Sequence, residues 1–227
     1  MANLKEIRNR ISSVQSTMQI TSAMKMVSAA KLKKAQDAIT AMRPYAEKLT
    51  ELLQNLSATL DGNTGGAFAE QREVNKVLIV AVTSNRGLCG AFNANVIKEV
   101  KNRTKFYQGK QVDVVSIGKK GNDILSKTNT VIANYSSVFD DLTFDRVAEV
   151  AQILMDKFVA AEYDKIEIVY NNFKNAATQV VKTEQFLPLV PIAEGEAIAS
   201  DYIFEPSKEE IVLTLIPKSL KTQLYKS

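Results

Sequence analysis

The residues best suited to chemistry form a glycine-bearing turn, Ser84-Asn-Arg-Gly-Leu-Cys-Gly90, which directly follows the apolar run Val77–Val82. Turns at the carboxyl ends of parallel strands can bind phosphate through backbone N–H groups. This turn has neither the glycine spacing of a dinucleotide-binding loop nor the Gly-Lys-Ser/Thr of a Walker loop. A tight strand-to-helix connection is therefore the simpler interpretation, and phosphate binding is the alternative.

Side chains that could catalyse a reaction are scarce. Cys89 would need a general base to act as a nucleophile, and the 227-residue chain contains no histidine. The same absence removes Ser-His triads and histidine metal sites. Asp140 and Asp141 could pair as carboxylates, but Leu142-Thr143 follows them, which favours a turn and a helix cap. The sequence predicts no catalytic residue, no metal site and no cofactor.

The elements around this turn alternate between strands and helices. The predicted strands are Val77–Val82, Val112–Ile117, Thr130–Ala133, Lys165–Tyr170 and Gln179–Pro188, and the predicted helices cover residues 91–106, 122–126 and 143–161. This alternation predicts an open, mostly parallel α/β (Rossmann-like) domain over residues 76–200. Residues 61–75 are the predicted linker. In the final segment, residues 201–227, Ile211–Ile216 fits a strand or a helix, and a helix is predicted to begin after Pro217.

Residues 1–60 predict one very long helix, because no glycine occurs before residue 62. Numbered in heptads from Leu4, thirteen of the sixteen a and d positions are apolar, which is the seam of a coiled coil. The fold class is therefore α/β, with a long N-terminal coiled-coil-type helix beside the α/β domain. Pro44 is predicted to remove one hydrogen bond and bend this helix.

The seam is interrupted once, where its three polar positions fall together at Thr21, Lys25 and Ser28. Over the same window the apolar residues move around the helix, to Ile20, Ala23, Met24 and Val27. A phase slip within a coiled coil would explain this shift. A second contact surface midway along the helix would explain it equally well, and periodicity leaves both interpretations open.

Charge separates the helix from the rest of the chain. Nine Lys and Arg against four Asp and Glu give a net charge of +5 through residue 56, whereas the whole chain carries +4. The partner could be nucleic acid, an anionic membrane or an acidic protein surface, although a solvated charged face is the commoner explanation. Nucleic acid is disfavoured because the helix has one aromatic residue, Tyr45, and no arginine cluster. The longest apolar run, Val77–Val82, is too short to cross a bilayer.

Three blocks of sequence resemble the γ subunit of the F-type rotary ATP synthase. The first is Leu4-Lys-Glu-Ile-Arg-Asn-Arg-Ile11 followed by Ile20-Thr-Ser-Ala-Met-Lys-Met-Val-Ser-Ala-Ala-Lys31; the others are Thr83–Gly90 and Asp201-Tyr-Ile-Phe-Glu-Pro206. They occur in the order of that family and span the chain nearly end to end. Asn85 stands where aspartate is usual in the family.

The resemblance implies a non-catalytic rotor shaft that couples proton flow through the membrane sector to ATP synthesis or hydrolysis. In the family the long helix lies within a ring of alternating α and β subunits. Ile20, Met24, Lys25 and Val27 would face that ring, and Tyr202 and Glu205 would meet the ε subunit and the ring of c subunits. The implied location is peripheral, on the cytoplasmic face of the bacterial inner membrane or the matrix side of an organelle, with membrane contact through partner subunits only.

One feature of the sequence departs from the family pattern. The family has a long C-terminal helix, antiparallel to the first, and this sequence ends where that helix should begin, so the resemblance implies a shortened form. Two other function classes remain. An α/β nucleotide-binding enzyme with a helical dimerisation arm would bind a ligand saturably, and a nucleic-acid-binding helical arm would bind with steep salt dependence.

Overall fold

The computed structural model describes residues 3–58, 66–175, 178–189 and 208–227. The chain divides into two compact units, Met1–Tyr45 and Ala46–Ser227. Helix α1 (Leu4–Ala58) is 55 residues long and continues through Pro44. At 1.5 Å per residue, such a helix measures roughly 80 Å along its axis. The predicted long N-terminal helix is confirmed.

The second unit contains a five-stranded sheet. Its elements are β1 (Lys76–Val82), α2 (Phe92–Phe106), β2 (Gln111–Ile117), α3 (Lys119–Leu125), β3 (Thr130–Asn134), α4 (Phe144–Val159), β4 (Lys165–Asn175), β5 (Thr178–Leu187) and α5 (Lys208–Lys226), with short 3-10 helices at Gly66–Phe68 and Ser136–Asp140. The strand order is β3-β2-β1-β4-β5. The first four strands are parallel, and β5 is antiparallel to β4. The open, mostly parallel α/β prediction is confirmed.

Strand β1 lies in the middle of the sheet, and its residues Val77–Ala81 are fully buried. Leu78 and Val80 pack into the apolar cluster that contains residues of α4 and α5. Val77, Ile79 and Ala81 pack into a second cluster, with α2 and Leu125 of α3. A strand covered on both faces needs apolar residues at successive positions, which explains its uninterrupted apolar sequence.

Two element boundaries within residues 76–200 differ from the predictions by three or more residues. Helix α3 begins at Lys119, directly after Gly118, rather than near residue 122. Strand β4 extends to Asn175, five residues beyond the predicted end. Its pairing with β1 stops at Val169, and the following residues pair with β5 as a two-stranded ribbon. The longer strand could not be seen in the apolar pattern, because the ribbon lies outside the buried part of the sheet.

The prediction that a helix begins after Pro217 was wrong, because Pro217 lies inside α5. The stretch Ile211–Ile216, which fitted either a strand or a helix, is helical. Apolar side chains of α5 pack into the cluster that includes α4, and Ile216, Leu220 and Leu224 are each at most 4 % exposed. Burial of one such side chain contributes about 1.5–3 kcal/mol. Three of them offset the cost of a proline inside a helix, about 3 kcal/mol.

A buried ion pair joins α2 to β4. The Glu167 carboxylate, 3 % exposed, accepts hydrogen bonds from Arg103 Nη2 at 2.6 Å, Arg103 Nε at 2.9 Å and the Tyr107 hydroxyl at 2.6 Å. Burial would raise the pKa of Glu167, but these hydrogen bonds and the charges of Arg103 and Lys165 outweigh burial and lower it. Burial and the bond to Glu167 raise the pKa of Tyr107 to about 12. Both groups therefore keep their charge states at neutral pH.

Replacing the Glu167 carboxylate tests how much its ion pair with Arg103 stabilises the α/β unit. We expect Glu167→Gln to lower the free energy of unfolding of the α/β unit by about 3 kcal/mol, because Arg103 loses its counter-ion. The pKa of Glu167 is lowered from the ordinary 4.5, so its stabilisation is complete above that pH and is lost as the pH falls through the folded-state value. Denaturant unfolding followed by tyrosine fluorescence at neutral and acidic pH should show a difference that shrinks in acid. The exposed Glu149→Gln is the control, and an equal effect there would contradict the prediction.

Candidate partner-binding surfaces

The middle of α1 exposes the residues that the resemblance assigns to the ring. Ile20 and Met24 are each 61 % exposed and Val27 is 57 % exposed. At about 100° per residue these three side chains lie on one side of the helix, whereas Lys25, also exposed, lies about 100° or more away from each of them. The structure therefore gathers the three apolar residues into one stripe and leaves Lys25 on the side of the heptad seam.

The heptad seam of α1 is a second exposed apolar surface. Its exposed members include Leu4, Ile7, Ile11, Val14, Met18 and Leu32. The charged residues at the flanking e and g positions before residue 46 are all basic, and they are Arg8, Arg10, Lys31 and Arg43. In coiled coils these flanking charges select the partner helix. The seam is therefore suited to a helix with acidic or neutral flanking residues, and two copies of α1 would bring like charges together.

The turn that follows β1 is fixed to the start of α3 by hydrogen bonds. The Lys119 N–H donates to Asn85 Oδ1 at 2.8 Å, the Lys120 N–H to the Ser84 carbonyl at 3.2 Å, and the Gly121 N–H to Thr83 Oγ1 at 2.9 Å. A phosphate at this edge of the sheet would use N–H groups of this kind. These three N–H groups are bonded within the chain, so they are not free to bind a phosphate; they follow β2, whereas the predicted phosphate turn follows β1.

Asn85 joins this turn to a further loop. Its Nδ2 donates to the Ser136 carbonyl at 3.0 Å, while its Oδ1 accepts the Lys119 N–H. An ionised aspartate at this position could accept but could not donate. Asn93 fixes the turn from α2, because its Oδ1 accepts the Ser84 N–H at 2.9 Å. The Asn85 side chain therefore makes two contacts, of which a carboxylate could make only the one it accepts.

The remaining candidate groups do not form a reactive site. Cys89 is exposed, and its sulfur lies 3.2 Å from Asn93 Nδ2. Asp141 pairs with Arg146 at 3.5 Å. Within the part of the chain that the structure describes, no group of three or more His, Cys, Asp or Glu residues could hold a metal ion. No described helix is both long and apolar enough to cross a bilayer. Tyr202 and Glu205 lie outside the described residues.

A very long helix with exposed apolar surfaces, joined to an α/β domain, is typical of a subunit that assembles with partners along its helix. The family model described as ATP synthase matches residues 3–227. The ATP synthase gamma chains of Flavobacterium psychrophilum and Geotalea uraniireducens are 80 % and 42 % identical to the whole chain, which covers 79 % and 80 % of their lengths. The chain therefore belongs to the ATP synthase gamma chain family, and the resemblance read from the sequence is confirmed.

A solved structure agrees with this assignment. The matching chain in the central stalk/c-ring structure of the Tetrahymena thermophila mitochondrial ATP synthase is 25 % identical to this chain. The match has a TM-score of 0.66 and covers 91 % of this chain and 90 % of the other. Together with the gamma chain relatives, it shows that this chain is a central-stalk subunit, the rotor shaft of the synthase.

The approach of Gly118 to Thr83 provides a test of the turn. Gly118 has φ +118°, and a Cβ there would lie 2.1 Å from the Thr83 carbonyl oxygen. We expect Gly118→Ala to destabilise the α/β unit by at least about 3 kcal/mol, through backbone strain and steric overlap together. Gly109 is the matched control, because it has φ +89° but nothing within 4 Å of its Cβ position. Gly109→Ala should cost about 1–2 kcal/mol. Equal losses in denaturant unfolding would show that the overlap is relieved elsewhere.

Proposed function

We propose that α1 transmits rotation by binding the α and β subunits of the catalytic ring through its mid-helix stripe, Ile20, Met24 and Val27. The observation that carries this proposal is their exposure, 57–61 % for residues of a type that usually folds inward. Contiguous exposed apolar residues on a soluble protein mark interaction surfaces. The stripe points away from the heptad seam, so a helix could occupy the seam while the stripe touches the ring.

The net positive charge of α1 indicates the kind of surface that its partner presents. The helix carries +5 through residue 56, and Lys25 lies on the side of the heptad seam. An acidic surface on the β subunits would complement it, and complementary charge favours rapid and specific association. Lys25 would be a separate, charged contact on the seam side of α1, while the three apolar residues of the stripe supply the buried contact.

The other contacts of a rotor shaft are assigned to the far end of the chain. Tyr202 and Glu205 would meet the ε subunit and the ring of c subunits, through which proton flow drives rotation. The matching Tetrahymena chain comes from a structure of a central stalk with a c-ring, which supports a contact of this kind. The chain would then be a peripheral protein on the cytoplasmic face of the bacterial inner membrane, or on the matrix side of an organelle.

In this proposal the chain performs no catalysis itself, and ATP is made or hydrolysed on the ring. Two observations support a non-catalytic role. The chain has no histidine to activate Cys89 or a serine. The N–H groups of Lys119, Lys120 and Gly121 are bonded within the chain rather than directed at a ligand.

Two methionines of similar exposure test the stripe. Met24 lies on it, and Met26, 66 % exposed, lies about 160° around the helix from Met24. We expect Met24→Gln to weaken binding of the chain to an assembled α and β ring by about fivefold or more, as loss of an apolar contact at an interface does. Met26→Gln should change binding less than about twofold. Titration of the ring with a fluorescently labelled chain measures both variants, and equal effects would contradict the stripe.

Reconstitution with α and β subunits tests the proposal as a whole. We expect the chain to co-purify with the ring and to change its ATPase activity, because an asymmetric shaft makes the catalytic sites unequal. Ring subunits without the chain provide the control. Failure to co-purify, despite correct folding of the chain by circular dichroism, would overturn the proposed function.

A further inference from the structure

The outer face of α2 has an exposed aromatic ring at its end. Phe106, the last residue of the helix, is 70 % exposed, whereas its neighbour Tyr107 is 6 % exposed. Large aromatic side chains are usually covered, and an exposed one is a common centre of a protein interface. This residue lies outside the three blocks that carry the resemblance and outside the α1 surfaces.

The ring is held in place by groups beneath it. The Arg103 guanidinium lies 4.5 Å from the centroid of the Phe106 ring. The Tyr107 ring packs against it edge-to-face, with centroids 5.0 Å apart and an interplanar angle of 84°. Arg103 is itself fixed by two hydrogen bonds to the buried Glu167. A ring that is ordered before a partner arrives loses little conformational freedom on binding, which favours affinity.

Lysines accompany this ring along α2. Lys98 and Lys105 are exposed and Lys101 is half-buried. They recur at helical spacing on one side of α2, and none of the ion pairs between described residues includes them. The nearest acid in the sequence, Glu99, accepts hydrogen bonds from Asn102 and Thr183 instead. The outer face of α2 is therefore cationic beside a fixed aromatic ring.

We propose that Lys98, Lys101, Lys105 and Phe106, here called the α2 platform, form a docking surface for an acidic protein surface of a neighbouring ATP synthase subunit. Phe106 would enter an apolar depression, and carboxylates on the side of α2 that carries the lysines would meet them. A fixed aromatic ring bordered by charged groups is suited to a protein interface, which has an apolar core and a polar rim. Lysines alone would suit a lipid headgroup, but they would not require an ordered ring. The inference rests on the proposed function, because it needs the assembled complex.

Cysteine labelling at a neighbouring residue tests whether the platform is covered while Phe106 is still present. Asn102 is exposed on the same side of α2, so Asn102→Cys in a Cys89→Ser background reports coverage of the platform. The synthase is purified through a tag on the α subunit, and maleimide labelling is compared with that of the isolated chain. We expect labelling to be at least about tenfold slower in the complex, since buried interface positions exclude reagent. Adding Phe106→Ala should restore most of the rate, whereas Phe139→Ala, at a different exposed phenylalanine, should not.

Three outcomes would overturn the inference. Labelling rates within about twofold of each other in the isolated chain and in the detergent-purified complex would mean that nothing covers the platform. Protection seen in membrane vesicles but lost in detergent would identify lipid as the occupant. Equal responses to Phe106→Ala and Phe139→Ala would show that the ring is not the centre of the contact. Absence of the chain from the tagged complex would instead overturn the proposed function, and this inference with it.

Discussion

Burial of β1 on both faces is the constraint on which the α/β unit depends. Successive side chains of a strand point to opposite faces, so the fully buried run Val77–Ala81 requires a helical layer on each side. The chain supplies α2 and α3 to one face and α4 and α5 to the other. The chain adds β2 and β3 on one side of β1 and then returns to add β4 on the other side, so the strand order reverses between β1 and β4. Doubly wound enzymes bind ligands at such a point. Here the Asn171 amide donates to the Phe92 carbonyl at 2.9 Å, which joins β4 to the first turn of α2 at this point.

Helix α1 shows the opposite use of apolar residues. A buried leucine, isoleucine or methionine contributes about 1.5–3 kcal/mol, and the seam and stripe of α1 leave this contribution available to partners. Side-chain contacts within the helix, such as the Glu6–Arg10 pair at 2.8 Å, contribute only about 0.2–0.5 kcal/mol each. The chain thus uses apolar residues to fold its second unit, whereas many large apolar residues of α1 before residue 46 are exposed.

The sequence predicted the elements whose pattern is local. The apolar run of β1 and the glycine-free length of α1 are each visible without knowledge of distant residues. The start of α3 was missed because it depends on Thr83 and Asn85, which approach it only in the fold. The role of Glu167 was hidden because its partner Arg103 lies 64 residues earlier. Of the candidate site, the structure shows that the mid-helix stripe is exposed, but its contact with the ring and the contacts of Tyr202 and Glu205 remain predictions.

Polar groups in the interior of this protein fix the orientation of exposed apolar side chains. Replacing a buried ion pair by apolar packing often leaves stability unchanged or improves it, so Glu167 and Arg103 need a reason beyond stability. The pair places the guanidinium under the exposed ring of Phe106. Asn85 does the same for the turn that presents the fully exposed Leu88. A subunit that transmits force between partners requires contact side chains that keep their orientation under force. Directional hydrogen bonds provide that resistance better than apolar contacts, because apolar packing specifies distance but little orientation.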